Sequence, residues 1–309
     1  MNRHALTLST EPRTTSPATF QCKDEKWEIG SCPGSLGELW QGPWPGSTQA
    51  EVAVMALHTQ LQSWATIWPG DTPVTSMGST LRASVATAFQ EVTGKGEVNG
   101  EFSFESSIPV GAGMSSSTAD AVAVIRAIAS YHGIDCSTDL IECILHKIER
   151  SDPVFIDKHC LYSSEGHYVL AEFDSRQHYW AMWSTSPVET PTADFPRGLL
   201  MQHYNRHLKD YEQSRKLVLE SLADGDVVGL AQQATRSARL AQAYLYDPII
   251  DLCVDRMDSI GALGVVRAHT GTVRALLFHA QQTSIDVGEA EAVLGADGTP
   301  VSRGWVGLW

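Results

Sequence analysis

The sequence predicts a globular chain of mixed helices and strands, divided into two parts. Alternating apolar and polar residues indicate strands at residues 50–68, whereas apolar spacing of three and four indicates a helix at 79–93. Three prolines within residues 187–196 predict a linker, and the pattern after it becomes mainly helical. A chain of 309 residues is long enough for one large domain or two ordinary ones.

Composition and charge narrow the class of protein. Apolar residues make up 43% and charged residues 19%, which is typical of a globular chain, and the net charge is −14. An acidic surface disfavours nucleic acid and anionic membranes as partners, so a phosphate ligand would need a local site with a divalent cation. Six scattered cysteines without a C-x-x-C pair predict reduced thiols and no zinc site. With neither a membrane-length apolar run nor a signal-peptide pattern, we expect a cytoplasmic protein.

The N-terminal elements follow in order. Residues 1–24 are rich in Ser, Thr and Pro and predict a loose arm or an added edge segment. A first strand at 27–31 leads into a glycine- and proline-containing stretch at 32–42, for which we predict a tight loop. That loop is either an ordinary turn or a ligand site near Glu38 and Gln41.

A glycine- and serine-rich segment at residues 108–120 is the centre of the sequence. It follows a short predicted strand at Phe102 and Phe104 and precedes an apolar helical run that ends near Gly133. The free N–H groups and the dipole at a helix start bind anions, usually phosphate. A serine-capped helix start without a ligand fits the segment equally well.

The elements after this helix place two acids together. A second helix begins near residues 137–139 and leads to Glu149, and Pro153 stops further helix, so Glu149 and Asp152 lie at the turn. This is a functional carboxylate pair or an ordinary polar helix end. A hairpin at 161–173 and a strand at 179–186 follow. Three helices at 204–222, 226–244 and 248–259 come next, and then a strand–turn–strand at 261–278.

Three separated motifs together resemble the GHMP kinases, the superfamily of galactose, homoserine, mevalonate and phosphomevalonate kinases. Pro109–Ala119 is similar to their phosphate loop. Within the superfamily the motifs are most similar to the L-threonine kinase of cobalamin biosynthesis and propanediol utilisation. Its G-M-A-S-S-T-A-D, C-P-x-S-x-G-E-L-x-Q-G and G-A-x-G-x-x-x-A-H-T-G-T patterns match Gly113–Asp120, Cys32–Gly42 and Gly261–Thr272. Two departures stand out: Ala112 replaces a lysine and Ser115 replaces an alanine.

The resemblance implies an α+β GHMP kinase fold. An N-terminal domain like ribosomal protein S5 would carry the phosphate loop, and a C-terminal ferredoxin-like domain would complete the cleft. With the linker, this predicts an arm at 1–24, an ATP-binding domain at 25–186 and a C-terminal domain at 187–309.

The resemblance also implies roles for individual residues. Asp152 would be the general base, and Ser117 and Glu149 would hold Mg²⁺. The ATP phosphates would contact Pro109, Gly111, Ala112, Gly113, Met114, Ser115, Ser116 and Ser117. The acceptor would contact Ser35, Gly37, Glu38, Gln41, His269, Thr270 and Gly271. On pattern alone, His269 is equally well explained as a structural histidine in a turn.

The function implied is ATP- and Mg²⁺-dependent phosphorylation of L-threonine to O-phospho-L-threonine, in the supply of cobalamin precursors. The alternatives are a kinase for another acceptor, such as homoserine or a sugar, and a nucleotide-binding relative without catalysis. Ala112 keeps the acceptor question open, since a lysine at this position would offer a phosphate contact. We expect a monomer or homodimer without nucleic-acid or membrane partners.

Overall fold

A computed structural model describes residues 27–45, 50–186, 197–282 and 284–308, so the predicted arm at 1–24 and the proline-rich linker at 187–196 lie outside the described residues. The strands are β1 (Glu28–Pro45), β2 (Ala50–Pro73), β3 (Asn99–Ser106), β4 (His159–Ser163), β5 (Tyr168–Phe173), β6 (His178–Thr185), β7 (Gly264–Arg267), β8 (Val273–His279) and β9 (Val301–Gly307). The helices are α1 (Thr80–Thr93), α2 (Ser116–His132), α3 (Thr138–Leu145), α4 (Arg197–Arg206), α5 (Leu208–Ala223), α6 (Val227–Ala241), α7 (Pro248–Ile260) and α8 (Val287–Leu294).

The strands join into one antiparallel sheet in the order β1-β7-β8-β6-β9-β2-β4-β5, with β3 also paired to β2. β1 and β2 also pair with each other along most of their length, so the strand order closes into a ring from β1 to β2. The N-terminal and C-terminal strands meet at the pairs Glu38–Arg267 and Thr59–Val306. The first of these junctions places Glu38 beside the strand–turn–strand at 261–278.

The C-terminal strands and helices follow a β-α-β-β-α-β succession, the ferredoxin-like arrangement. β6, β7, β8 and β9 lie in the order β7-β8-β6-β9. A second apolar cluster lies beneath α7 and α8, with Met182, Leu276 and Phe278 from the sheet. The predicted boundary at residue 187 places β6 in the N-terminal domain. In the structure β6 pairs with β8 and β9, which follow that boundary in the sequence. The domain boundaries remain a prediction.

Helix α2 carries the centre of the main core. Its apolar residues are buried on nearly every side, and Ile125 and Ile128 are fully enclosed, each contributing roughly 1.5–3 kcal/mol of burial. The helix lies so close to β1 that a Cβ at Gly30 would stand 2.0 Å from the carbonyl oxygen of Ala123. This contact holds the middle of α2 against β1.

Several sequence predictions are confirmed. The helix predicted at 79–93 is α1, and the helical run predicted to end near Gly133 is α2. Gly94 and Gly133 end these helices with left-handed φ values of 71° and 64°. The hairpin of β4 and β5, the strand β6 and the strand pair β7–β8 lie where the pattern predicts them.

Other predictions are wrong. The stretch at 32–42, predicted as a tight loop, belongs to β1, where three register shifts relative to β2 absorb its glycines and proline. The helix predicted to lead to Glu149 ends at Leu145, and 204–222 is two helices. The elements α8 and β9 were not predicted. No helix in the described ranges has the length and apolar character needed to cross a membrane.

Candidate active site

The three motifs meet at one place in the structure. The N–H of Ser35 donates to the carbonyl of Met114 at 3.0 Å. The N–H groups of Thr272 and Val273 donate to the carbonyl of Ala112 at 3.0 and 2.9 Å. The segments at 32–42 and 261–278 therefore hold the glycine-rich loop by its backbone from two sides.

Gly113 and Gly271 allow the loop and the C-terminal turn to touch. A Cβ at Gly113 would lie 2.4 Å from the Cβ of Ala268, and a Cβ at Gly271 would lie 2.4 Å from the Cα of Gly113. Gly113 also has φ = 76°, which favours glycine. The sequence needs glycine at both positions for close backbone approach.

The loop leaves the start of α2 open to an anion. The first backbone bond of α2 runs from the N–H of Ala119 to the carbonyl of Ser115, and the carbonyls of Ala112 and Met114 accept hydrogen bonds from the other motifs. The N–H groups at 116 and 118 precede this bond, at the helix start where N–H groups have no intrahelical acceptor. Such a set of N–H groups at the positive end of a helix dipole binds phosphate.

A cleft of about 290 Å³ opens in front of this loop. Its walls come from the glycine-rich loop, β1, β2, the turn after α3 and the C-terminal turn. They are formed by Glu38, Gln41, Val52, Val54, Gly111, Gly113, Met114, Ser115, Ser116, Ser117, Thr118, Glu149, Arg150, Asp152, Ser164, Leu200 and Thr270. Its volume is at the small end of the range for ligand pockets.

Asp152 lies partly buried in this cleft and is held by the loop. Its Oδ2 accepts a hydrogen bond from the Ser115 hydroxyl at 2.7 Å, and its N–H donates to Thr118 Oγ1 at 3.4 Å. Burial and the nearby Glu38 carboxylate raise the pKa of Asp152 to about 6, against the lowering effect of Ser115. A carboxyl group with a pKa near neutrality suits proton transfer at physiological pH.

Ser117 and Glu149 form an oxygen pair at the mouth of the cleft. The Ser117 hydroxyl donates to Glu149 Oε1. Hydroxyl and carboxylate oxygens are ligands that Mg²⁺ accepts. In the part of the chain that the structure describes, no group of three His, Cys, Asp or Glu side chains could hold a metal by itself. An ion at this pair would therefore take further oxygen ligands from phosphate and water.

Glu38 is the third acid of the cleft and is fixed by the C-terminal turn. Its Oε2 accepts from both the N–H and Nδ1 of His269, each at 2.9 Å, and His269 Nε2 lies 3.0 Å from Ser237 Oγ. His269 is 1% exposed, so it positions Glu38 rather than facing the cleft. Gln41 is likewise oriented, since its Nε2 donates to Tyr204 Oη at 2.8 Å.

The structure brings most of the predicted site residues into the cleft but not all of them. Ser35, Gly37 and Gly271 stand behind its wall, where they fix the loop or the strand junction, and Pro109 is exposed outside it. Ala112 is buried, so its side chain does not reach the cleft.

Sequence reasoning missed other cleft residues. Arg150 was left out of the predicted site, although it stands between two predicted site acids. Thr118 is a further hydroxyl of the same motif. Val52, Ser164 and Leu200 reach the cleft by folding alone, and no sequence pattern marks them.

Comparison with known proteins supports the family resemblance and the fold. The family model "GHMP kinases N terminal domain" matches residues 80–156, the segment that contains α1, the glycine-rich loop, α2 and Asp152. Over residues 80–156 the chain is similar to a GHMP kinase N-terminal domain. The resemblance predicted from the three motifs is thus confirmed.

Two curated relatives extend the similarity over most of the chain. The L-threonine kinase of Citrobacter freundii is 24% identical over 260 residues, which cover 84% of this chain and 88% of that protein. The L-threonine kinase of Salmonella typhimurium is 25% identical over 267 residues, which cover 85% and 87%. Kinase relatives of this kind indicate a phosphotransferase with a hydroxyl group as acceptor.

Solved GHMP kinases have the same fold. Homoserine kinase from Cytophaga hutchinsonii superposes with a TM-score of 0.64 at 12% identity over 92% of this chain and 95% of that one. Mevalonate kinase from L. major, in complex with R-mevalonate, gives 0.61 at 14% identity over 92% and 96%. The predicted α+β GHMP kinase fold is confirmed.

Proposed function

We propose that this chain is an ATP-dependent kinase that phosphorylates the side-chain hydroxyl of L-threonine to give O-phospho-L-threonine. One observation carries the proposal: a partly buried carboxyl group with a pKa of about 6, Asp152, lies in the same small cleft as the open helix start of the glycine-rich loop. Phosphoryl transfer needs this pairing of a phosphate cradle with a group that orients and deprotonates the acceptor hydroxyl.

ATP would bind with its phosphates against the N–H groups from Gly111 to Ser117. Because the chain has a net charge of −14, attraction of the nucleotide must come from this site and from a bound cation. Ser117 and Glu149 would hold Mg²⁺, and their oxygens fit its ligand preference. Bound Mg²⁺ would neutralise charge on the transferred phosphoryl group.

The acceptor end of the cleft suits an amino acid. Both hydrogen bonds from His269 end on Glu38 Oε2, which leaves Oε1 of this buried carboxylate for a cation. The α-ammonium group of L-threonine supplies that cation. Arg150 lines the same cleft and would attract the α-carboxylate. Two opposite charges in one small cleft favour a zwitterion over a neutral sugar.

In the proposed step, Asp152 accepts the proton of the acceptor hydroxyl. The hydroxyl oxygen then forms its bond to the γ-phosphorus while the bond to the departing ADP oxygen breaks. Asp152 orients the hydroxyl through the carboxylate oxygen that Ser115 does not occupy. The partial burial of the site keeps water from competing as the acceptor.

L-Homoserine is the second candidate acceptor. It carries the same ammonium and carboxylate groups, so Glu38 and Arg150 do not by themselves exclude it. The identities of 24% and 25% with two L-threonine kinases over most of the chain favour threonine. We further propose a role in cobalamin precursor supply, in the cytoplasm, where the five free cysteines of the described residues would stay reduced.

An acceptor panel tests the proposal. Purified protein with ATP and Mg²⁺ is assayed for ADP release with L-threonine, L-homoserine, D-galactose or no acceptor. We expect the highest kcat/KM with L-threonine and a smaller value with L-homoserine. Equal rates with and without acceptors would contradict a threonine kinase, and ATP binding without any ADP release would indicate a non-catalytic relative.

A further inference from the structure

The side chain of Ser115 does not cap the helix that it precedes. It is the N-cap residue of α2, yet its hydroxyl makes no hydrogen bond to the helix that follows. Its backbone is left-handed, with φ = 57° and ψ = 31°, a conformation that favours glycine. A serine here therefore needs an explanation other than capping.

The Ser115 hydroxyl links two other parts of the site. Its Oγ lies 2.7 Å from Asp152 Oδ2 and 2.7 Å from Ser35 Oγ. An ionised carboxylate only accepts hydrogen bonds, so the single hydroxyl proton of Ser115 is donated to Asp152. Ser35 must then donate to Ser115, which gives the direction Ser35 to Ser115 to Asp152.

We propose that Ser115 is a positioning residue that aims the Asp152 carboxylate at the acceptor and ties it to the phosphate loop. The inference rests on the proposed function. The Ser115 hydroxyl fixes Oδ2, which leaves Oδ1 to face the acceptor hydroxyl. The hydroxyl of Thr118, one helical turn along, accepts the N–H of Asp152. The loop that cradles phosphate thus also sets the position of the base.

The charges around Asp152 give this contact a measurable consequence. Glu38 of β1 and Glu149 of the same turn favour the protonated form of Asp152, as does burial, while Arg150 and the Ser115 hydroxyl favour the ionised form. The charge of this carboxylate also acts on the phenol of Tyr162 on β4. Loss of the Ser115 hydroxyl removes one of the two groups that lower the pKa of Asp152, so that pKa rises further.

Two variants of one residue separate the hydroxyl from the backbone. Ser115→Ala and Ser115→Gly both remove the hydroxyl, but only glycine relieves the left-handed conformation. In both, the acid limb of the kcat/KM profile for L-threonine should move up by about one pH unit. At pH 6 each variant should therefore lose roughly five-fold in kcat/KM relative to the unmutated protein, beyond any loss seen at pH 8. At pH 8 Asp152 is ionised in all three proteins, so this part of the loss disappears. KM for ATP should change less than kcat.

Ser63→Ala is the matched control. Ser63 Oγ donates to Asp120 Oδ1 at 2.7 Å and lies 2.9 Å from Ser106 Oγ, which repeats the Ser–Ser–Asp arrangement outside the cleft. Its removal should leave the pH profile of kcat/KM in place.

An unchanged acid limb in both Ser115 variants would overturn the positioning role, as would a change in the alanine variant that glycine abolishes. Where turnover is too low to titrate, the pKa of Asp152 is read by ¹³C NMR of its carboxyl carbon, with Asp152→Asn for assignment. A pKa equal to that of the unmutated protein overturns the role. Failure of the unmutated protein to phosphorylate any acceptor contradicts the proposed function instead, so the two failures are distinguishable.

Discussion

Asp152→Asn should raise the stability of the fold while removing its activity. The substitution keeps the size and shape of the side chain but removes the charge. Because burial and Glu38 raise the pKa of Asp152 from 3.8 to about 6, the ionised carboxylate costs the folded state free energy near neutral pH. As the proposed base, the same carboxylate is needed for catalysis.

The pKa of Asp152 gives the size and the pH window of the stability effect. At 1.36 kcal/mol per pKa unit, the shift corresponds to about 3 kcal/mol between the two protonation states. The folded state binds this proton more tightly than the unfolded state does, so the cost grows as pH rises from 3.8 and is complete above 6. We expect the asparagine variant to gain about 2–3 kcal/mol in unfolding free energy at pH 8 and almost nothing at pH 4.

Urea unfolding of both proteins at pH 4, 6 and 8 measures this gain, and ADP release with L-threonine at pH 8 measures the activity. The variant should lose roughly 10²- to 10⁴-fold in kcat. Comparison at equal pH cancels the titration of all other groups. A variant that is less stable than the unmutated protein at pH 8 would refute the electrostatic reasoning, and one with full turnover would refute the role of Asp152 as base.

Three further predictions concern the metal pair, the loop contact and the buried histidines. Glu149→Gln should raise the half-saturating Mg²⁺ concentration of ADP release by roughly ten-fold, with an unchanged far-UV circular dichroism spectrum. Gly113→Ala should destabilise the fold in urea by about 2 kcal/mol more than Gly133→Ala, because both positions have positive φ but only Gly113 has atoms within 4 Å of an added Cβ. Burial lowers the pKa values of His58 and His159 to about 4, so stability should fall as pH drops from 6.5 towards 4, by about 2 kcal/mol per histidine between pH 7.5 and 5. Single substitutions to Gln should flatten that urea-unfolding profile.

The phosphate loop and α2 could be predicted from the sequence because their signals are local. Glycines at 111 and 113 allow the positive φ values of the loop, and Gly133 ends the helix in a left-handed conformation. The spacing of apolar residues between them directly reflects the helical period. These features require no knowledge of the rest of the chain.

The stretch at 32–42 could not be predicted in the same way. Its glycines and proline are typical of a turn, but β2 on one side and β7 on the other hold it in a strand with three register shifts. Its partners are fixed by the sheet, and composition does not report them. Gly37 illustrates this, since a Cβ there would lie 2.4 Å from the carbonyl oxygen of Arg267, far along the chain.

The role of His269 also depends on distant parts of the chain. Sequence reasoning placed it against the acceptor or left it structural, whereas the structure turns Nδ1 to Glu38 and Nε2 to Ser237. Glu38 and His269 are separated by 231 positions. No single-sequence pattern pairs residues at that separation, so the fixing of Glu38 became visible only in the fold.

Direct observation of the product tests the central claim most sharply. The protein is incubated with ATP, Mg²⁺ and L-threonine and followed by ³¹P NMR, with Asp152→Asn in parallel. We predict the phosphomonoester signal of O-phospho-L-threonine, growing in step with ADP in the unmutated protein and at least about a hundred-fold more slowly in the variant. Formation of ADP with inorganic phosphate alone, or an equal rate of phosphothreonine formation in the variant, would contradict the account.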